Sequence, residues 1–97
     1  MTQGRKEHPL LRLMDKVEFD TKTGCWQWTA SQTNGGYGLF PVPGVANVAH
    51  RVLYIMLVSS LTRDEHLDHL CRNRSCVNPD HLEPVTQAEN NRRMWAQ

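Results

Sequence analysis

Between His66 and Arg93 the sequence reads HLDHLCRNRSCVNPDHLEPVTQAENNRR, and two kinds of chemistry share that stretch. Cys71-x4-Cys76-x4-His81 supplies three soft or borderline metal ligands at close spacing, and a structural zinc takes four such ligands in a tetrahedron. The fourth must come from elsewhere. Cys25 is the remaining one of three cysteines, and His50, His66 and His69 compete with it. Cys25 is the favoured ligand, because thiolate-rich closed sites are typical of structural zinc and because it would tie an early strand to the C-terminal segment. The competing reading, buried free cysteines packing as small hydrophobes, suits Cys25 taken singly. It suits Cys71 and Cys76 poorly, since the Arg72-Asn73-Arg74-Ser75 between them is too polar to bury. Beside this cluster stand an Asp68-His69 pair and a helix rich in asparagine and arginine.

The elements that must hold these residues follow from pattern. Leu10, Leu13, Met14 and Val17 recur at helical spacing, which predicts an amphipathic helix from Pro9 to about Phe19. Asp20–Gly24 is turn chemistry that delivers Cys25 into a strand, Cys-Trp-Gln-Trp-Thr. Asn34-Gly35-Gly36 tolerates positive φ, so a strand-turn-strand unit is expected from there into Tyr37–Phe40, ended by Pro41, Pro43 and Gly44. Val45–Ala49 reads as a third extended piece, and Arg51–Ser59 as a helix with Leu53, Tyr54, Leu57 and Val58 on one face. His66–Leu70 reads as extended, Asn78-Pro79 as a turn, and Asp80–Leu82 as one helical turn. A final helix is expected from Thr86 to about Trp95, because Thr86 and Glu89 have capping-box spacing.

With 97 residues the chain is one domain, and a domain of this size buries only about 60–65% of its unfolded surface, so a metal staple would help. Hydrophobic residues at 39% and charged residues at 22% argue against wholesale disorder. No apolar run reaches a membrane span and MTQGRKEHPLL lacks a signal-peptide h-region, so a soluble, cytoplasmic protein is expected. An odd number of cysteines without an export signal favours metal over disulfides. A net charge of +1 gives no global field of the kind that marks a strongly basic nucleic-acid binder.

LDHLCRNRSCVNPDHLEPVTQAENNRR resembles the HNH (His-Me finger) endonucleases, specifically the small zinc-bearing group similar to the His-Cys box homing endonucleases. The resemblance extends upstream to Gly24–Trp28, to Tyr37–Phe40 and to His50-Arg51, and covers about residues 10–94. It implies an α+β fold: a polar tail over residues 1–9, then a single domain over 10–97 with a short antiparallel sheet and a ββα-metal core at about 66–95. It implies that His69 is the general base activating water, that Asn90 and Asp68 bind a catalytic divalent ion, and that Asn78 is the loop-bracing middle asparagine of the family name. Zinc would be held by Cys25, Cys71, Cys76 and His81.

Physical reasoning supports these roles. An imidazole with an ordinary pKa near 6.5 can be neutral at cellular pH. The oxygens of Asp68 and Asn90 suit magnesium or manganese, which keep open positions for phosphate and water. Arg93, one turn on from Asn90, falls on the same helix face in position to hold a phosphate. Each residue also has an ordinary reading: His66 and His69 as spare ligands or surface histidines, Arg92 and Arg93 as a helix end favoured by the macrodipole, and Trp26, Trp28 and Tyr37 as core. Where some relatives have an arginine in the strand after Gly-Tyr-Gly, this chain has Leu39 and Phe40, so either Arg51, Arg72 or Arg74 is the candidate for that charge or activity is weak; with Arg92 and Arg93 these are the candidate nucleic-acid contacts. The expected function is a divalent-metal-dependent endonuclease acting on double-stranded DNA, nicking as a monomer or cutting both strands as a homodimer. The alternative is a zinc-stabilised nucleic-acid-binding module without catalysis.

Overall fold

The computed structural model describes residues 8–96; of the expected polar tail over residues 1–9, residues 1–7 lie outside the described residues, while His8 caps the first helix and Pro9 begins it. Three helices, α1 (Pro9–Met14), α2 (Ala49–Leu57) and α3 (Gln87–Ala96), accompany six short strands: β1 (Val17–Phe19), β2 (Trp26–Trp28), β3 (Leu39–Val42), β4 (Ala46–Val48), β5 (Glu65–His69) and β6 (Leu82–Thr86). The strands pair as three antiparallel ladders, β1-β2, β3-β4 and β5-β6. The expected α+β class with short antiparallel sheets holds.

The first helix is shorter than its periodicity suggests. It stops at Met14, and Val17–Phe19 instead pairs with Trp26–Trp28, Val17 opposite Trp28 and Phe19 opposite Trp26. β-branched and aromatic side chains favour that ladder, and Phe19 meets Trp26 edge-on at 5.3 Å. Asp20 Oδ1 accepts from the Lys22 and Thr23 N–H groups, and Gly24 closes the turn at φ +78°.

The expected turn at Asn34-Gly35-Gly36 forms, closed by an antiparallel bridge from Gln32 to Gly38 with Thr33 N–H donating to Tyr37 O and Leu39 N–H to Ser31 O, but the pairing does not extend into Cys-Trp-Gln-Trp-Thr. β2 is already taken by β1 on one edge and by the Cys71–Cys76 loop on the other, where Gln27 bridges to Cys76, Val77 N–H donates to Trp26 O and Trp28 N–H to Ser75 O. β3 turns to β4 and runs through Pro41; the ladder is irregular between Leu39 and Val42, where proline has no N–H to give. Gly38 is needed at the join, since a Cβ there would lie 2.6 Å from Trp28 Cγ.

The core gathers Leu13, Trp28, Phe40, Val52, Leu53 and Val77 around the buried start of α2. Helix α2 begins two residues earlier than expected. The C-terminal unit is a strand, a loop, a strand and a helix. β5 and β6 pair over their full length, Glu65 opposite Thr86 through His69 opposite Leu82, and α3 packs on both. β6 is the second strand that the ββα resemblance implies, although local pattern gives no strand there; it carries Pro84 at its centre, and a two-stranded ladder leaves each strand one outer edge where the missing N–H costs nothing. The predicted helical turn is a 3-10 turn at Pro79–His81. Thr86 caps α3 by accepting from Glu89 N–H at 3.2 Å.

Candidate active site and metal centre

The four sequence-predicted zinc ligands converge. Cys25 at the head of β2, Cys71 and Cys76 on the loop after β5, and His81 on the 3-10 turn place their ligand atoms within 4.8 Å of one another. Tetrahedral zinc with Zn–S bonds of about 2.3 Å sets its ligands about 3.8 Å apart, and His81 Nδ1 lies 3.6 Å from both Cys25 Sγ and Cys76 Sγ. The donor set therefore fits a closed metal site. Burial raises the Cys25 thiol, but hydrogen bonds from Thr23, Cys76, His81 and Asn73 bring it down to about 7. Burial carries Cys76 up to about 12, with the neighbouring thiols adding to the rise. A cation is the natural partner for sulfurs so arranged. His50 and His66 lie outside this cluster, and His69 faces elsewhere.

The loop that carries the thiols is braced by its own polar residues. Asn73 Nδ2 donates to Gln27 Oε1 at 2.7 Å and its Oδ1 accepts from Ser75 N–H. Asn78, buried, donates to Gly24 O at 2.7 Å and accepts from Asp80 N–H, joining the β1-β2 turn to the 3-10 turn. Arg72 takes φ +63°, the left-handed backbone that lets the loop reverse just after Cys71.

Asp68, His69, Asn90 and Arg93 line one recess of about 290 Å³, with Tyr37, Arg72 and Arg74 on its walls. His69 closes β5, is 7% exposed, and its Nε2 donates to Cys76 O at 2.9 Å. The carbonyl can only accept, so Nε2 carries the proton and the Nδ1 of a neutral ring keeps its lone pair. Burial lowers the pKa of His69; Arg74 lowers it further, while the Cys76 carbonyl and Asp68 pull the other way.

Arg93 is committed within the protein. Its Nη1 donates to Asp68 Oδ2 at 2.8 Å and Glu83 Oε1 at 2.7 Å, and its Nε to Glu89 Oε2 at 3.0 Å. Hydrogen bonds to Asp68, Glu83 and Glu89 raise its pKa further. Arg51 is tethered too, giving Nη1 to Glu65 O and Nη2 to Thr62 O. Arg74 donates to Gly35 O and lies over the Tyr37 ring at 5.6 Å. Arg92 stands largely in solvent, paired with Glu89.

Two residues of the site were not assigned to it from sequence. Tyr37 lies 5.8 Å from His69 and 5.6 Å from His50, ring centre to ring centre, and the two imidazoles are 4.6 Å apart. The sequence alone suggests Tyr37 as core and His50 as a competing donor for the fourth zinc position. The Gly-Tyr-Gly and His-Arg signatures marked both positions without saying that they meet.

Residues 47–92 match the model of a family described as HNH endonuclease. The chain is 31% identical over 81 residues to Protein 2.8 of Escherichia phage T7, an alignment covering 81% of this chain and 54% of that protein. The chain thus spans about half the length of the curated relative it matches. No solved structure matches.

Proposed function

From the match of residues 47–92 to the HNH endonuclease family we propose that the chain is a divalent-metal-dependent endonuclease that hydrolyses phosphodiester bonds of double-stranded DNA. Residues 10–97 act as one domain, with the chemistry in β5, β6 and α3. What supports this reading most directly is the hydrogen bond from His69 Nε2 to Cys76 O. It selects the tautomer in which a neutral ring, beside Asp68 and Asn90 in one recess, keeps its lone pair on Nδ1, and burial disfavours the charged form.

His69 takes a proton from water at Nδ1 as that water attacks phosphorus, and the 3′ oxygen leaves. Asp68 and Asn90 offer the oxygens that would hold a magnesium or manganese ion. Such an ion supplies electrostatic stabilisation of the charge that builds on the phosphate and the departing oxygen. Arg93 orients Asp68, Asn78 braces the loop, and Arg72, Arg74 and Arg92 are the cations offered to the DNA backbone. Cys25, Cys71, Cys76 and His81 hold a structural zinc. One active site per chain cuts one strand, so a monomer nicks and a homodimer cuts both.

The test is conversion of supercoiled plasmid by the zinc-loaded protein with magnesium or manganese, with His69→Ala and EDTA controls. Metal-dependent open circles that disappear in the folded variant are expected. DNA binding without conversion by either protein would instead make the chain a zinc-stabilised binding module.

A further inference from the structure

The roles assigned to Asp68, His69 and Asn90 leave His50 unexplained. It sits in the first turn of α2, 8% exposed, among the residues that start the core. Its Nδ1 is the one buried side-chain nitrogen or oxygen among the described residues without a hydrogen-bond partner. An apolar side chain would fill this position without stranding a polar atom, so packing alone does not account for an imidazole here.

The surroundings of the ring indicate a use for it. His69 lies 4.6 Å away on one side, and Tyr37 stacks on it at 5.6 Å with 29° between the planes. With Arg51, His66 and Asn90 it lines a second recess of about 260 Å³ that shares Tyr37 and Asn90 with the first. His50 thus borders the same reaction space as His69, approached from α2. Burial first, then His69 and Arg51, hold its pKa down to about 3, so the ring is neutral. A neutral imidazole carries one proton. Placed on the sealed Nδ1 it would bury an unanswered N–H, which is rarer in proteins than an unused lone pair; placed on Nε2 it makes that nitrogen a donor.

Resting on the endonuclease reading, we propose that His50 is a further catalytic residue whose Nε2–H donates a hydrogen bond to a non-bridging oxygen of the phosphate being cut. The cation that shares the recess of His50 is engaged, both terminal nitrogens of Arg51 serving backbone carbonyls; of those lining the first recess, Arg93 serves three carboxylates and Arg74 donates to Gly35 O. A donor that stays neutral stabilises phosphate charge without adding a positive charge beside His69, which must itself gain a proton during the reaction.

Three variants of the zinc-loaded chain test this by single-turnover nicking, duplex binding and thermal melting, alongside wild type and His69→Ala. His50→Phe removes the donor and keeps an aromatic ring. It is expected to melt at or above the wild-type temperature, bind duplex normally and nick about a hundredfold more slowly, as loss of one preorganised donor does elsewhere. His50→Gln, whose amide nitrogen reaches the place of Nε2, should recover to within about tenfold of wild type, while His50→Asn, which reaches only the place of Nδ1, should not. If His50→Phe nicks at the wild-type rate, or Gln and Asn give equal rates, the role is wrong. Should Phe fail to fold, the Gln and Asn pair decides alone. Wild-type protein that binds duplex but cuts no better than His69→Ala overturns the endonuclease reading and this role with it; wild-type cutting matched by every His50 variant overturns this role alone.

Discussion

The Nε2 of His69 donates to the backbone carbonyl of Cys76, 2.9 Å away, so the residue that orients the proposed base also offers its thiol to the metal cluster. Scaffold and chemistry are joined through one residue. A metal held by this cluster would do more than offset a small core, because the loop it would pin carries the carbonyl that selects the tautomer of His69.

It follows that zinc, fold and activity should be lost together. Structural zinc sites contribute about 10–16 kcal/mol of apparent binding free energy, as much as the whole net stability of about 5–15 kcal/mol that a small domain has. Cys25→Ala and Cys71→Ala are expected to lose stoichiometric zinc, their cooperative melt and plasmid nicking. The check is metal analysis by mass spectrometry beside a thermal melt. A Cys25→Ala protein that keeps one zinc per chain and a sharp transition would remove Cys25 from the ligand set.

For His69 the expectation is selective. His69→Ala should melt cooperatively yet lose about a hundred- to ten-thousandfold in nicking rate, the range for a missing general base. Because burial lowers the pKa of this ring, the base form persists below pH 6.5, and the acid limb of kcat/KM should fall below that value. An acid limb above 6.5 is incompatible with this environment in the free enzyme.

How much of this was legible beforehand depended on whether a signal was local. The ligand spacing of Cys71, Cys76 and His81 lies within one short stretch, and Thr86 with Glu89 marked the start of α3. β6 was legible through the ββα resemblance and not through local pattern, because Pro84 is a poor strand residue judged alone and the edge that tolerates it is a property of the two-stranded ladder. The partners of β2 were hidden for a related reason: its pairing with β1 and Cys76 answers to the metal loop, which no hairpin pattern describes. Tyr37 lies in the loop before β3, His50 in α2 and His69 at the end of β5, so only tertiary packing reveals that they meet.

Arg93 stands where three carboxylates converge, one of them Asp68. Removing the guanidinium leaves Asp68, Glu83 and Glu89 without their shared cation, and their mutual repulsion favours another positive charge. Arg93→Ala should therefore bind manganese roughly tenfold more tightly, measured by titration with the ion's paramagnetic resonance signal. Weaker binding would mean that Arg93 orders Asp68 for the ion more than it competes with it.

Gly38 is a packing constraint rather than a conformational one. A methyl group there meets Trp28 Cγ at 2.6 Å and Cδ1 at 2.7 Å, and Trp28 is held in place by its Nε1 donating to Ser31 O at 2.8 Å. Gly38→Ala should cost about 1–3 kcal/mol, as overpacking does, and lower the melting temperature by about 4–8 °C for each kcal/mol. An unchanged melt would show that Trp28 has room to move.

The last expectation concerns acid stability. His50 has an ordinary pKa of 6.5 in the unfolded chain and about 3 when folded. Between those values the unfolded state binds one more proton than the folded state, so stability is intact above pH 6.5 and declines by about 1.4 kcal/mol per unit as pH falls toward 3. At pH 5 the share owed to His50 amounts to about 2 kcal/mol. Protonation of the cysteine cluster and of His69 also weakens the fold in acid, but His50→Phe retains both, so the difference between the two proteins isolates this ring. Urea melts of each at pH 7 and pH 5 should show the variant losing less stability than wild type on acidification. Equal losses would mean that His50 becomes charged without disturbing the fold, and a ring that accepts a proton so readily could not remain the neutral donor beside His69.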